Sequence, residues 1–265
     1  MTLIIALKCT NGVILASDGQ ATSIASGGPI KQKCRKIFKL PGNVLLGASG
    51  TVGVIQRCRD NIAKYSEEIS EYGLDYSTEE RIEGHIKYIT LRDKIKKLVF
   101  LINKGERERH KAFHGDERGA PLADIILVFY DKTQDKFRIW HVTPDGGDEL
   151  LDELGYCCSG IGDTFGYAFL KNFYSEDLDI PTGTVIAYRV IREAIEIGAY
   201  GLGEPIDIWI IEKEKNEIKV KQLSTDELNA LHDTCCMWRE AEKEVFRKKV
   251  KKTIQNNNQE KVTSY

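Results

Sequence analysis

Two apolar runs on either side of an Asn-Gly turn constrain this chain most. Leu3-Ile4-Ile5-Ala6-Leu7 leads into Thr10-Asn11-Gly12, and Val13-Ile14-Leu15-Ala16 follows. Runs of this length joined by Asn-Gly predict a β-hairpin. The hairpin carries the chain back beside its own start, so Asp18, at the end of the second run, lies near Thr2. Met1 precedes a small residue, and its removal would leave a threonine with both a hydroxyl and a free α-amine. Such an amine has an unperturbed pKa of about 8, and a threonine that uses its own amine as base is an activated nucleophile.

Composition narrows the class. The 265 residues are 42% hydrophobic and 29% charged, enough for one sizeable globular domain with an extension. A formal net charge of −2 argues against a general nucleic-acid or membrane-surface binder. No apolar stretch reaches the roughly 18 residues of a membrane helix, and no secretory signal heads the chain. Seven cysteines without a framework spacing read as free thiols of a reducing cytoplasm. No C-x-x-C spacing exists, so neither a metal nor any other cofactor is expected.

Along the chain, residues 19–28 read as a Gly/Ser/Thr-rich loop, 31–40 as a basic strand, and Val44–Ala48 as another strand after the Pro41-Gly42-Asn43 turn. Helical spacing runs from Val52 to Tyr72 and stops at Gly73. Ser77 with Glu80 resembles a capping box, which predicts a second helix to Asn103. Residues 104–121 read as a charged surface loop holding His110, His114 and Asp116 as solvated side chains. Strands are expected at 124–130, 136–142 and 156–160, helices at 164–173 and 182–199, and closing strands at 206–211 and 218–220. Two antiparallel sheets stacked between helix layers would bury every apolar face, an α+β sandwich. Ser224 with Glu227 is a further capping box. The expected organisation is therefore a domain over 1–223, a C-terminal helix over 224–255, and a disordered tail over 256–265.

These residues resemble the proteasome family of N-terminal-threonine peptidases. Gly12-Val13-Ile14-Leu15-Ala16-Ser17-Asp18-Gly19-Gln20-Ala21-Thr22 is similar to the family's G-V-x-x-A-x-D-x-x-A-T segment. Its D-G-Q-A-T ending especially resembles that of the bacterial two-component relative that works with an ATPase unfoldase. Lys36-Ile37-Phe38-Lys39-Leu40 resembles the strand carrying the family lysine, and Gly47-Ala48-Ser49-Gly50 the segment whose glycine amide forms the oxyanion hole. The resemblance implies the four-layer α/β/β/α fold of N-terminal nucleophile hydrolases. It implies Thr2 as nucleophile, Asp18 and Lys36 as its charged support, and Gly50 as oxyanion donor. Lys33 competes for the lysine role, having nearly the same spacing from Thr2; strand alternation favours Lys36.

Further implications follow from the same resemblance. Thr22 would offer its backbone to an extended substrate, while Ala21, Cys34, Ala48 and Val52 would form a small apolar pocket. Peptide or unfolded protein is the implied substrate, a homo-oligomeric ring the implied assembly, and an ATPase unfoldase a further implied partner. The family's accessory polar residues fall here on Ile161, within Gly160-Ile161-Gly162, and on Ala199 with Leu202. That departure marks a divergent branch. It leaves three functional expectations: a threonine endopeptidase, a transpeptidase or protein ligase sharing its acyl-enzyme, and a non-catalytic structural subunit.

Overall fold

The computed structural model describes residues 2–25, 28–82, 85–198 and 201–262. The N-terminal hairpin forms as expected. β1 (Ile4–Cys9) and β2 (Gly12–Ser17) are antiparallel, with Ile4 opposite Ser17 and Cys9 opposite Gly12. Their runs do not alternate polar and apolar because both faces are covered. Ile4, Ala6, Val13 and Leu15 point into the core between the two sheets.

The first sheet is completed by β12 (Tyr156–Ser159), β13 (Asp207–Glu214) and β14 (Glu217–Gln222), in the order β12-β1-β2-β13-β14. The second runs β11-β10-β9-β6-β5. Its strands are β5 (Ile37–Leu40), β6 (Val44–Gly50), β9 (Ala123–Asp131), β10 (Lys136–Val142) and β11 (Asp148–Leu150). Leu45, Ile126, Val128 and Ile139 meet the first sheet across the central core. The outer face of the second sheet, with Leu46, Leu127, Phe129 and Trp140, packs on α1 (Val52–Ile62), α2 (Ser66–Tyr72) and α3 (Leu91–His114). Helices α4 (Asp163–Phe173) and α5 (Ile180–Glu196) cover the first sheet. The result is the expected helix–sheet–sheet–helix sandwich.

Three local expectations need correction. Residues 20–33 are not a loop entering a strand. They form a hairpin, β3 (Gln20–Ala25) with β4 (Gly28–Lys33). The stretch from Ser77 does not start a helix. It forms a second hairpin, β7 (Ser77–Ile82) with β8 (His85–Thr90). The isoleucines that suggest one helical stripe fall on two strands, Ile82 on β7 and Ile86 and Ile89 on β8, and Thr78, Ile89 and Thr90 add β-branched bulk.

The helix then starts later and runs through the expected loop. Thr90 caps α3 by accepting from the Asp93 amide at 3.1 Å, and Gly115 ends it at a φ of +84°. Its last turns lack an apolar stripe because their inner face is polar. Buried Asn103 brackets the backbone of Ala123, donating to its carbonyl at 3.1 Å and accepting from its amide at 2.8 Å. Buried Glu106 pairs with Arg57 and Arg109. His110 and His114 stack on this helix rather than lying in a loop.

All seven cysteines are free. Burial pushes the thiols of Cys9 and Cys157 up to about 12, so they act as packing groups. Residues 1–223 and 224–265 form separate compact units. The second contains α6 (Thr225–Val262), opened by the Ser224/Glu227 capping box: the Ser224 amide donates to Glu227 at 2.8 Å, and the Glu227 amide to the Ser224 hydroxyl at 3.3 Å. The helix continues over 256–262, part of the expected tail. Among the described residues, no helix is long and apolar enough to cross a membrane.

Candidate active site

The register of β1 and β2 decides the site. Asp18 follows directly on β2, and its carboxylate is fully buried. Oδ1 accepts from the Leu3 amide at 2.9 Å and from Lys36 Nζ at 2.6 Å. Oδ2 accepts from the amides of Gln20 and Gly203, each at 3.3 Å. Leu3 returns the contact by accepting from the Asp18 amide at 3.2 Å. Lys36 lies just before β5 and is 4% exposed. Burial pushes its ammonium below the usual lysine range, against the opposing pull of Asp18. Lys33 instead ends β4 on the exposed rim, opposite Gln20, so the geometry separates the two lysines.

Thr2 is held from its other side by the turn after β12. Gly162 donates to the Thr2 carbonyl at 3.3 Å. Gly160 has a φ of +98°, and a Cβ there would stand 2.3 Å from the same carbonyl oxygen, so only glycine fits. Gly50 ends β6 at a φ of +117°, where a Cβ would meet the Leu122 carbonyl at 2.0 Å.

Thr2, Lys36 and Gly50 all line one cleft of about 560 Å³. Ala21, Thr22, Cys34, Ala48 and Val52, the residues expected to bind substrate, line it too. The buried Thr22 hydroxyl has no hydrogen-bond partner among the described residues. Lys33 and Arg35 add positive charge at the cleft, and among the described residues no acidic one lines it.

The departures also have places. Ile161 is 52% exposed at the turn beside Thr2, and buried Leu202 packs with Leu3 over Gly162. Ala199 lies outside the described residues. Sequence reasoning missed the loop after α5, which supplies the Gly203 amide to Asp18 and accepts at Gly201 from Gln20 Nε2 at 2.7 Å. It also missed Ser159, Asp124 and His141, which carry no motif.

A family model described as the proteasome subunit matches residues 2–102 and 101–211. The chain belongs to the proteasome family. Proteasome subunit beta of Methanococcus maripaludis (strain C7) is 24% identical over 214 residues, covering 80% of this chain and 84% of that relative. Proteasome subunit beta 1 of Staphylothermus marinus is 26% identical over 211 residues, with the same coverage. A solved structure, the Gly-1 mutant of Anbu from Hyphomicrobium sp. strain MC1, superposes with a TM-score of 0.64 at 15% identity, covering 94% of this chain and 97% of that one. That likeness carries the fold, which is the N-terminal nucleophile hydrolase sandwich. Low identity throughout makes the chain a divergent proteasome-family member.

Proposed function

We propose that the chain is a threonine peptidase whose nucleophile is Thr2, exposed by removal of Met1. The observation that carries this reading is the buried Asp18–Lys36 pair, bonded to the Leu3 amide next to Thr2. The α-amine takes the Thr2 hydroxyl proton as the oxygen attacks a peptide carbonyl. The Lys36 ammonium lowers the proton affinity of both groups. The Gly50 amide receives the developing oxyanion. Collapse breaks the peptide bond, the leaving amine takes the proton back from the ammonium, and an ester on Thr2 remains. Strand β3 offers its edge to an extended substrate, and Lys33 with Arg35 favours peptides bearing acidic side chains. The assembly we infer is a homo-oligomeric ring in the cytoplasm, fed unfolded protein by an ATPase unfoldase.

A peptide epoxyketone tests this reading, because it closes a ring only on a residue with both a hydroxyl and a free α-amine. Intact mass should show one adduct on the processed chain and none on Thr2→Ala. Retention of Met1, or equal behaviour of the two chains, would leave the structural-subunit reading. Ile161 and Leu202 favour a second fate for the ester, attack by an amine instead of water, as in a transpeptidase or ligase. Adding an amine-bearing peptide and finding a joined product in place of free acid would select it.

A further inference from the structure

A chain of buried and half-buried hydrogen bonds crosses between the two sheets. Ser49, on β6, lies 2.9 Å from Ser159 of β12, oxygen to oxygen. Ser159 donates to Asp124 Oδ2 of β9 at 2.5 Å. His141 Nε2, on β10, lies 2.8 Å from Asp124 Oδ1. A hydroxyl has one hydrogen, and that of Ser159 goes to the carboxylate, so Ser49 must donate to Ser159. The serine and the histidine occupy opposite oxygens of one carboxylate and do not bond each other. Ser159 therefore has no base and is no nucleophile.

What the chain joins is informative. Ser49 immediately precedes Gly50, and Ser159 immediately precedes Gly160, whose backbone presses on the Thr2 carbonyl. Ser159 also stands opposite Ile4 in the β1–β12 register. Ser49 stands opposite Asp124 on β9. The oxyanion donor and the nucleophile sit on different sheets, and catalysis tolerates errors of only about 0.5 Å between such groups.

We propose that Ser49, Ser159, Asp124 and His141 are positioning residues, a relay that fixes the distance between Thr2 and Gly50 and tightens when His141 is protonated. This rests on the reading of Thr2 as nucleophile. The groups facing His141 are Asp124, Glu149 from the paired β11 strand, and Asp163 at the start of α4, all acidic. The imidazolium is therefore favoured, and it holds the Asp124 carboxylate in its accepting role for Ser159.

Epoxyketone labelling of the full chain, followed by intact mass across pH, tests the relay. His141→Gln and Asp124→Asn should slow labelling by about tenfold below pH ~6.5, with the gap to wild type narrowing at higher pH. Ser49→Ala removes one hydroxyl and keeps the fold if the others do not; it should slow labelling in the same pH-dependent way. Labelling of folded variants at wild-type rate and with the wild-type pH profile would overturn the relay and leave the Thr2 reading intact. A wild-type chain that is processed but never labelled would sink the Thr2 reading instead. In that case NMR still decides the relay: the Gly50 and Gly160 amide signals should both follow the His141 titration in wild type, and in Ser49→Ala only Gly160 should. Independence of those signals from His141 would overturn it.

Discussion

The two flanks of Thr2 differ in kind. Toward β2, one buried carboxylate accepts from an ammonium and three backbone amides, each oxygen taking two donors. Toward β12, the contacts are glycine backbone, with Ile161 exposed at the turn and Leu202 packed over Gly162. Charge is concentrated where an acyl-enzyme would form, and apolar surface stands where water would be activated to break it. The comparison teaches that the two halves of one proposed reaction can diverge separately.

The sharpest way to break the polar flank is Lys36→Met. It leaves Asp18 buried and unpaired from its cation, and such breakage costs about 3–5 kcal/mol. Chemical denaturation should show that loss, and epoxyketone labelling should vanish. The double variant with Asp18→Asn should recover part of the stability and none of the labelling. Unchanged stability in Lys36→Met would mean the pair is ornamental.

Gly50→Ala tests the rim of the same flank. Its φ and the Leu122 carbonyl leave no room for a methyl group. The substitution displaces the amide without removing it, and the labelling rate should fall toward the roughly 10²–10³-fold typical of a lost oxyanion donor. Retained labelling would move the donor elsewhere.

On the apolar flank, Ile161→Ser should alter stability by less than about 0.5 kcal/mol, as exposed substitutions do. It should raise ester hydrolysis relative to amine capture by roughly tenfold, the lower end of what an added proton-transfer group supplies. An unchanged product ratio would show that this flank does not choose the acceptor. Smaller still is the effect of Lys33→Gln with Arg35→Gln. Acidic peptides should lose a few-fold advantage over neutral ones, and salt should erase the same difference in wild type.

The least of these effects concerns stability against pH. Asp124, aided by Glu149 and Asp163, raises the His141 pKa above its ordinary value despite burial. The folded state then binds that proton more tightly than the unfolded chain. Its contribution is complete below about pH 6.5, and it fades as pH rises through the raised folded value. Wild type should lose stability relative to His141→Gln across that interval; a constant difference would contradict the pair.

Much of this was legible in the sequence, for identifiable reasons. Thr2 and Asp18 are brought together by one hairpin with an Asn-Gly turn, and their separation is set locally. Lys36 follows the short β3–β4 hairpin, and Gly50 ends β6, two short strands later. Long-range partners were not legible. Gly203 reaches Asp18 through a backbone amide, a group every residue but proline possesses, so no side chain marks it. Asp124 and His141 meet across the β9–β10 pair, and Ser159 joins them only because the two sheets stack. The late turns of α3 escaped because Asn103 and Glu106 satisfy their buried groups by hydrogen bonds and ion pairs, where a periodic reading looks for apolar side chains. The hairpin at 77–90 escaped because isoleucines at helical spacing along the sequence are divided between its two strands.

The ligation of Asp18 also bears on when the chain becomes reactive. Three of its donors, Leu3, Gln20 and Lys36, leave the ribosome early. The fourth, Gly203, is 185 positions downstream. By hypothesis, a nascent chain whose methionine has been trimmed stays chemically quiet until that loop is synthesised and docks. The full chain with Gly203→Pro, which lacks that amide, should give no epoxyketone adduct, and labelling at the wild-type rate would refute the idea. Delayed arming of this kind would spare a growing polypeptide from its own exposed nucleophile.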